Sequence, residues 1–192
     1  DWSVPDWVVL PAGNLGNTAA FGKALVEARA WGLIDRLPRL AAVQAEGASP
    51  FAQSFAEHFA TRHRVKAETV ATAIKIGDPA SYDRAVRAIR ETDGLVLSVT
   101  DAEILEAKAV VDAAGVGCEP ASAASVAGVR QLRGSGTIRP RERAVAVLTG
   151  HLLKDPGVLL EYHQTTEPPP SRANRPIEIE PRVSEIERAL RT

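Results

Sequence analysis

A loop that could bind an anion lies near the start of the chain, in the stretch PAGNLGNTAAFG. It holds two Gly-Asn pairs, Gly13-Asn14 and Gly16-Asn17, between an apolar run and an alanine-rich stretch. We expect Gly13 and Gly16 to take backbone angles that other residues avoid and to leave room for a ligand. Successive N–H groups can then turn toward an anion, and the positive end of the following helix adds to the attraction. This pattern predicts a cradle for a phosphate monoester, and a plain strand-to-helix turn is the alternative.

The type of phosphate loop can be narrowed further. No Gly-Lys-Ser/Thr follows, as a P-loop requires, and the G-x-G-x-x-G spacing of a dinucleotide fingerprint is absent. Asn14 and Asn17 tolerate left-handed backbone angles and provide uncharged amide donors. These features favour a bound phosphate monoester over a nucleotide.

The elements that must position this loop alternate along the chain. Apolar runs of strand length are separated by longer stretches of helical periodicity, which predicts an α/β fold with a largely parallel sheet flanked by helices. The predicted strands are 7–10, 40–44, 95–99 and 144–148. The predicted helices are 18–32, 51–63, 78–92, 100–115 and 121–132.

Two apolar patterns predict which helix faces are buried. In helix 18–32, the buried face is expected to hold Ala20, Ala24, Leu25 and Ala28. In helix 51–63, three aromatic residues follow at i, i+4 and i+8, which predicts core packing and not a ligand site. They are Phe51, Phe55 and Phe59.

The character of the chain changes after His163. The stretch TTEPPPSRANRP is typical of a linker stiffened by prolines. Beyond it, IEIE predicts a short edge strand at 177–180, and 183–190 predicts a short helix. We therefore expect a main domain over 1–163 and a tail over 164–192.

Composition and charge exclude several classes of protein. The chain is 45% hydrophobic and 24% charged, as is ordinary for a globular protein. Its net charge of −1 predicts no general attraction to nucleic acid or to an anionic membrane. No apolar run approaches the roughly 20 residues that span a bilayer. No metal site is predicted, and the single cysteine, Cys118, fits a reducing cytoplasm.

Five stretches, taken together and in order, carry a resemblance to one family. They resemble threonine synthase, a pyridoxal-phosphate enzyme of the β-family, or fold type II, over about Val4 to Pro156. The stretches are PAGNLGNTAAFGKAL, AVQAEGASPF, VATAIKIGDPASYDRAV, CEPASAASVAG and VAVLTGHLLKDP. Five ordered motifs are far more specific than any one of them.

The resemblance implies roles for individual residues. The loop from Gly13 through Leu15 to Asn17 matches the family's cofactor phosphate cradle. Thr149 matches the residue whose hydroxyl faces the pyridine nitrogen of the cofactor, although a Thr-Gly after a strand would by itself indicate a turn. Ala73 and Ile74 match a segment near the cofactor ring, with a buried strand as the alternative. Glu119 matches an active-site group behind those that touch the cofactor, with a helix-start residue as the alternative.

One part of such an enzyme has no counterpart in this sequence. Pyridoxal-phosphate enzymes hold the cofactor through a lysine Schiff base, and the Phe-Lys-Asp-type segment that supplies it in threonine synthase does not occur here. We expect Lys23 and Lys108 to face water, and Lys75 to be the only lysine near the site. The chain also has 0 methionines and begins at Asp1. We therefore expect a carboxyl-terminal portion of the enzyme, not catalytic by itself.

The resemblance implies a lyase that converts O-phospho-L-homoserine and water into L-threonine and phosphate. The implied cofactor is pyridoxal 5'-phosphate, the partner is this small-molecule substrate, and the resemblance is compatible with a homodimer. Two alternatives stay open: a threonine or serine dehydratase of the same β-family, and a non-catalytic relative that binds a phosphate ligand.

Overall fold

The computed structural model describes residues 3–164 and 168–191 of the chain. The chain consists of two compact units, the first ending at Asp155 and the second beginning at Pro156. In the described part, no helix is long and apolar enough to cross a membrane.

The first unit is built on a four-stranded sheet. Its neighbouring strands are all parallel, in the order β3-β2-β1-β4. The strands are β1 (Trp7–Pro11), β2 (Arg39–Ala45), β3 (Leu95–Val99) and β4 (Ala144–Ala146). The predicted parallel sheet flanked by helices is confirmed.

Five helices connect and flank these strands, and two short 3-10 turns lie in the loops. The helices are α1 (Gly16–Ala30), α2 (Pro50–Ala56), α3 (Tyr82–Glu91), α4 (Asp101–Ala113) and α5 (Pro120–Gly134). The turns are Glu46–Ala48 and Thr72–Ile74. In the second unit, the structure describes α6 (Pro156–Gln164) and α7 (Val183–Ala189).

Alternate residues of each strand serve opposite faces of the sheet. Trp7 and Val9 of β1 belong to a core shared with α4 and α5, whereas Val8 and Leu10 belong to a core shared with α2 and α3. Helices therefore cover both faces, as a parallel sheet requires.

The strand order reverses beside β1. From β1 the chain passes outward to β2 and then β3, and it later places β4 on the other side of β1. Loops that follow β1 and β4 therefore leave the same edge of the sheet as neighbours. Ligands of open α/β sheets bind at such a reversal, outside the carboxyl ends of the strands.

The predicted helix 51–63 is wrong beyond Ala56. His58 and Phe59 have φ angles of 53° and 61°, so the chain turns back. Phe51 and Phe59 would lie about 12 Å apart along a continuous helix, but their ring centroids are 5.2 Å apart. The expected aromatic core is present, and a turn brings it together.

The predicted burial of α1 is also wrong in part. Ala20 and Ala24 are exposed, and the fully buried positions are Thr18 and Gly22. Gly22 lies against Ala88 of α3. Helix α1 therefore packs on α3 through its smallest residue, whereas Leu25 and Ala28 of the predicted face are only partly buried.

The predicted edge strand at 177–180 does not form. Alternating apolar residues stabilise a strand only where a neighbouring backbone supplies hydrogen bonds, and no described strand pairs with this segment. The predicted helix that follows it is present as α7.

Candidate functional site

The loop between β1 and α1 owes its shape to a leucine and not to its glycines. Leu15 has a φ of 64°, whereas neither Gly13 nor Gly16 has a positive φ, so the expected special angles of the two glycines are wrong. A left-handed leucine is strained by about 1–3 kcal/mol. Its side chain is only 2% exposed and packs in the core beside α3, which holds the strained turn in place.

Gly13 is required because there is no room for a side chain at this position. A Cβ at this position would lie 2.9 Å from the carbonyl oxygen of Ala73 and 3.0 Å from Cα of Ile74. The loop therefore rests directly on the 3-10 turn Thr72–Ile74. The alternative of a buried strand at Ala73 and Ile74 is excluded, because both belong to that turn.

The amino-terminal end of α1 is open to an acceptor. No side chain caps this end, and the first helical hydrogen bond runs from Ala19 N to Leu15 O at 3.0 Å. Among the described residues, none accepts a hydrogen bond from the N–H groups of Gly16, Asn17 or Thr18. No acidic residue lies in the first turn, so nothing offsets the positive end of the helix dipole.

Asn14 fastens the loop to the start of α3. Its backbone oxygen accepts a hydrogen bond from Ser81 N at 3.1 Å, and its side-chain oxygen accepts one from Ala80 N at 3.4 Å. Asn17 is exposed at the other end of the loop. Of the two asparagines, Asn17 is therefore the better placed to contact a ligand.

Three polar side chains meet beyond the end of β4. Thr149 Oγ1 lies 2.9 Å from Ser122 Oγ and 3.3 Å from Glu119 Oε1. Ser122 Oγ also accepts hydrogen bonds from Thr149 N at 2.9 Å and Gly150 N at 3.0 Å. The first turn of α5 therefore positions both the hydroxyl and the backbone of Thr149.

Glu119 is a buried carboxylate with partners. Its side chain is 5% exposed, and Lys154 Nζ lies 3.3 Å from Oε2. The carboxylate lies against Gly150, where a Cβ would collide with it. The backbone of Glu119 stands just before α5, so the helix-start interpretation also describes it. It is both a helix-start residue and a contact of Thr149.

The residues expected from the sequence converge on one pocket of about 260 Å³. This volume lies just below the range of about 300 to 1,000 Å³ that is typical of small-molecule sites. Pro11 and Ala121 complete the lining. The expected residues that line it are Gly13, Asn14, Leu15, Gly16, Asn17, Ala73, Ile74, Glu119 and Thr149.

None of the five lysines lines this pocket. Lys75 is not the only lysine near the site as expected, because Lys154 contacts Glu119, a lining residue, at 3.3 Å. Lys75 follows the lining residue Ile74 and pairs with Glu68 at 2.6 Å. Lys23 is exposed as expected, with a side-chain exposure of 76%.

Lys108 is buried, contrary to the expectation that it faces water. Its side chain is 2% exposed, and Nζ lies 2.7 Å from Asp112 Oδ2 and 2.7 Å from the backbone oxygen of Cys118. Asp112 Oδ1 accepts a hydrogen bond from Cys118 N at 3.3 Å. Lys108 and Asp112 therefore bond to the backbone oxygen and nitrogen of Cys118, the residue that precedes Glu119.

Cys118 has no nucleophilic character here. Burial raises the pKa of its thiol from 9.0 to about 11, although the nearby Lys108 ammonium lowers it. The thiol is therefore neutral at physiological pH and packs as a small apolar residue.

The pocket fits a small phosphorylated heterocycle. One wall offers free N–H groups at a helix start, which suit a phosphate. The lining also includes Thr149, whose hydroxyl suits a ring nitrogen. The pocket itself offers no primary amine for a covalent link to a ligand aldehyde.

Sequence reasoning missed Ser122 and Lys154 as parts of this site. A signal for Ser122 was present, because a serine in the first turn of a helix of small residues is placed to meet a neighbouring loop. No local signal pointed to Lys154, since its contact with Glu119 joins residues 35 positions apart.

Comparison with protein families gives one match over most of the chain. The family described as pyridoxal-phosphate dependent enzyme matches residues 1–150.

Curated threonine synthases from several organisms are similar to this chain in sequence. A threonine synthase from Methanosarcina acetivorans is 46% identical over 163 residues, which cover 84% of this chain and 40% of the relative. A threonine synthase from Methanocaldococcus jannaschii is 38% identical over 199 residues, which cover 100% of this chain and 45% of the relative. The chain thus spans less than half of the length of these relatives.

Solved structures with the same fold are more distant in sequence. An L-serine ammonia-lyase from Rhizomucor miehei matches with a TM-score of 0.63 at 20% identity, covering 78% of this chain and 46% of that one. Threonine synthase from Escherichia coli matches with a TM-score of 0.62 at 19% identity, covering 95% of this chain and 38% of that one. At this identity the likeness shows the fold alone.

Proposed function

The chain belongs to the family of pyridoxal-phosphate dependent enzymes, and on that premise we propose that it forms the phosphate cradle and ring contact of a threonine synthase. The observation that carries the proposal is the convergence of the open start of α1 and the Thr149 hydroxyl on one pocket. The identity of 46% to a threonine synthase supports the choice of enzyme within the family.

The cofactor phosphate would lie at the start of α1. The N–H groups of Gly16, Asn17 and Thr18 are without described partners, and Gly13 keeps the loop close to the Thr72–Ile74 turn. Hydrogen bonds to a charged acceptor contribute about 1.5–3 kcal/mol each. Backbone groups and a helix dipole would thus hold the dianion without any lysine or arginine in the cradle.

The cofactor ring would extend toward Thr149. When bound, pyridoxal phosphate supplies an electron sink for negative charge that develops on the substrate. A neutral hydroxyl cannot hold a proton on the ring nitrogen as a carboxylate would, so the strength of that sink is moderated. Ala73 and Ile74 would flank the ring, and Glu119 would stand behind Thr149.

The Schiff-base lysine of the proposed enzyme lies outside the pocket wall that this chain provides. Lys154 is directed to Glu119, and Lys75 is paired with Glu68. We therefore expect no turnover from the 192-residue chain alone.

The proposed substrate is O-phospho-L-homoserine, and the products are L-threonine and phosphate. Asn17, exposed at the rim of the pocket, would contact the substrate phosphate. In an active enzyme, Asn17→Ala should raise KM for this substrate with little loss of cofactor affinity. An unchanged KM together with unchanged cofactor affinity would contradict this role.

We also propose a cytoplasmic location and a homodimeric assembly. The single cysteine supports a reducing cytoplasm, and the resemblance is compatible with a homodimer. Both can be tested on the purified protein and in cells.

A chimera tests the proposed activity. The matching segment of the Methanosarcina acetivorans relative, 163 residues long, is replaced by this chain. We expect the purified chimera to bind pyridoxal phosphate and to release phosphate from O-phospho-L-homoserine together with L-threonine. A folded, cofactor-loaded chimera that releases no phosphate, or that forms a keto acid from threonine faster, would contradict the proposal and favour a dehydratase.

A further inference from the structure

Ser122 lies where it can control the direction of a single proton in the site. It is fully buried in the first turn of α5, and its Oγ has three described polar neighbours. Two are the backbone N–H groups of Thr149 and Gly150, at 2.9 and 3.0 Å, and the third is Thr149 Oγ1 at 2.9 Å.

The number of donors and acceptors on a hydroxyl decides how these contacts are used. A serine hydroxyl has two acceptor lone pairs and one proton to donate. The N–H groups of Thr149 and Gly150 can only donate, so they occupy both lone pairs of Ser122 Oγ. Its proton is then left for Thr149 Oγ1, its remaining described partner.

The donors and acceptors of the Thr149 hydroxyl can be counted in the same way. Since Thr149 Oγ1 accepts the Ser122 proton, its own proton must be donated elsewhere. In this structure the acceptor is Glu119 Oε1 at 3.3 Å, which is a long contact. A better-placed acceptor in the pocket would compete for this proton.

We propose that Ser122 is a positioning residue that commits the Thr149 hydroxyl to donate, so that a bound pyridine ring is held with its nitrogen unprotonated. This inference rests on the proposed function, because it assumes that the cofactor ring reaches Thr149. With Ser122 as its donor, the Thr149 hydroxyl can only donate a hydrogen bond to the ring nitrogen. A threonine without this neighbour could equally accept a hydrogen bond from a protonated ring nitrogen.

The opposing influence is Glu119. Its carboxylate lines the same pocket and could by itself favour a protonated ring nitrogen. Lys154 offsets that charge through its 3.3 Å contact with Oε2. His151 and Asp155 are the other titratable groups of the segment after β4, and they bond to Leu153 N and the Thr72 hydroxyl respectively.

The test uses the chain itself with a ligand that cannot form a Schiff base. Pyridoxine 5'-phosphate has the same ring and phosphate but an alcohol in place of the aldehyde. It is labelled with ¹⁵N in the ring, and the nitrogen resonance of the bound ligand is recorded at the pH where the free ring is half protonated. We expect the bound resonance to be that of the unprotonated ring.

The variants separate the proposed role from a structural one. Ser122→Ala should raise the protonated fraction of the bound ring and weaken binding about tenfold, the effect of one lost hydrogen bond. Ser125→Ala is the matched control, because Ser125 is buried in the same helix and bonds to Val147 O but does not touch Thr149. It should leave the resonance unchanged.

Two results would overturn the inference alone: a protonated ring in the wild-type complex, or a Ser122→Ala resonance identical to the wild type. If Ser122→Ala does not fold, Ser122→Cys takes its place, because a thiol is a weaker donor and acceptor than a hydroxyl and should likewise raise the protonated fraction of the bound ring. If a protonated wild-type ring loses its proton in Glu119→Gln, the carboxylate and not Ser122 sets the protonation of the ring. Absence of binding would overturn the proposed cofactor site, and this inference with it.

Discussion

Gly16 offers a way to separate ligand binding from folding at the scale of a single residue. It lines the pocket at the first position of α1, and a Cβ there would meet no protein atom within 4 Å. Gly16→Ala should therefore fold normally, and it should gain about 0.4–1 kcal/mol because the unfolded chain loses freedom. Its added methyl group should obstruct the cradle and weaken binding of pyridoxine 5'-phosphate about tenfold or more.

The matched control for this substitution is Gly134→Ala. Gly134 is the last residue of α5, also has no atom within 4 Å of an added Cβ, and does not line the pocket. Urea unfolding and ligand titration are measured on both variants. Equal affinity of Gly16→Ala and Gly134→Ala for the ligand would count against a phosphate site at the start of α1.

At the scale of single residues, the sequence predicts site residues best where a residue type has few structural roles. Paired glycines after a strand predicted one part of the pocket lining, and the family resemblance added Thr149. The structure brings these residues together. The sequence does not predict the burial of a side chain that depends on tertiary packing. Lys108 and Asp112 have the spacing of an exposed i, i+4 pair, but Lys108 also donates to the backbone oxygen of Cys118 and is buried, which the spacing does not predict.

The pair Lys108–Asp112 acts at the scale of elements, because it joins α4 to the segment that leads into α5. Replacing one partner of a buried ion pair leaves an unpaired charge and costs about 3–5 kcal/mol. Lys108→Met should therefore lower the free energy of unfolding by several kcal/mol, measured in urea.

Its control joins the same two helices at the surface. Arg130 Nη1 lies 2.6 Å from Glu106 Oε2, and the Arg130 side chain is 66% exposed. Arg130→Met should cost less than about 1 kcal/mol. If Lys108→Met and Arg130→Met lower the free energy of unfolding by similar amounts, the buried ion pair of Lys108 does not stabilise the fold more than a surface pair.

Helix α2 shows what an apolar pattern cannot decide. Three phenylalanines at intervals of four fit one face of a long helix, but they also fit a short helix followed by a turn. The turn at His58 and Phe59 brings Phe59 within 5.6 Å of Phe55 as well as 5.2 Å of Phe51. The two ring contacts of Phe59 stabilise the turn, and no local propensity specifies it.

At the scale of the whole molecule, the thiol of Cys118 reports on global unfolding. It is 0% exposed, and burial raises its pKa to about 11. Iodoacetamide at pH 8 should therefore modify the native chain far more slowly than the unfolded chain. Rapid modification without denaturant would mean that α5 opens locally.

The same shift predicts how stability changes in alkaline solution. The pKa is higher in the folded state than its ordinary value of 9.0, so the folded chain holds this proton more tightly. The resulting stabilisation is complete below about pH 9 and is lost as the pH rises toward 11. Urea unfolding between these values should show a steeper loss for the wild type than for Cys118→Ser, and parallel losses would contradict the shift.

The sheet places the candidate site at the reversal of strand order between β1 and β4. Strand positions were predictable from apolar runs, because short buried runs between helical patterns have few other interpretations. The strand order was not predictable, because pairing β4 with β1 joins residues 137 positions apart, such as Trp7 and Ala144, and depends on the helices that cover each face.

The central claim is that the loop after β1 and the residue after β4 hold the phosphate and the ring of one ligand. The most direct measurement is a crystal structure of the chain with pyridoxine 5'-phosphate. We predict the phosphate within hydrogen-bond distance of the N–H groups of Gly16 to Thr18, and the ring nitrogen next to Thr149 Oγ1. A ligand seated instead in the groove of about 470 Å³ between α1 and α3, beside Lys23, Arg84 and Arg87, would contradict the account.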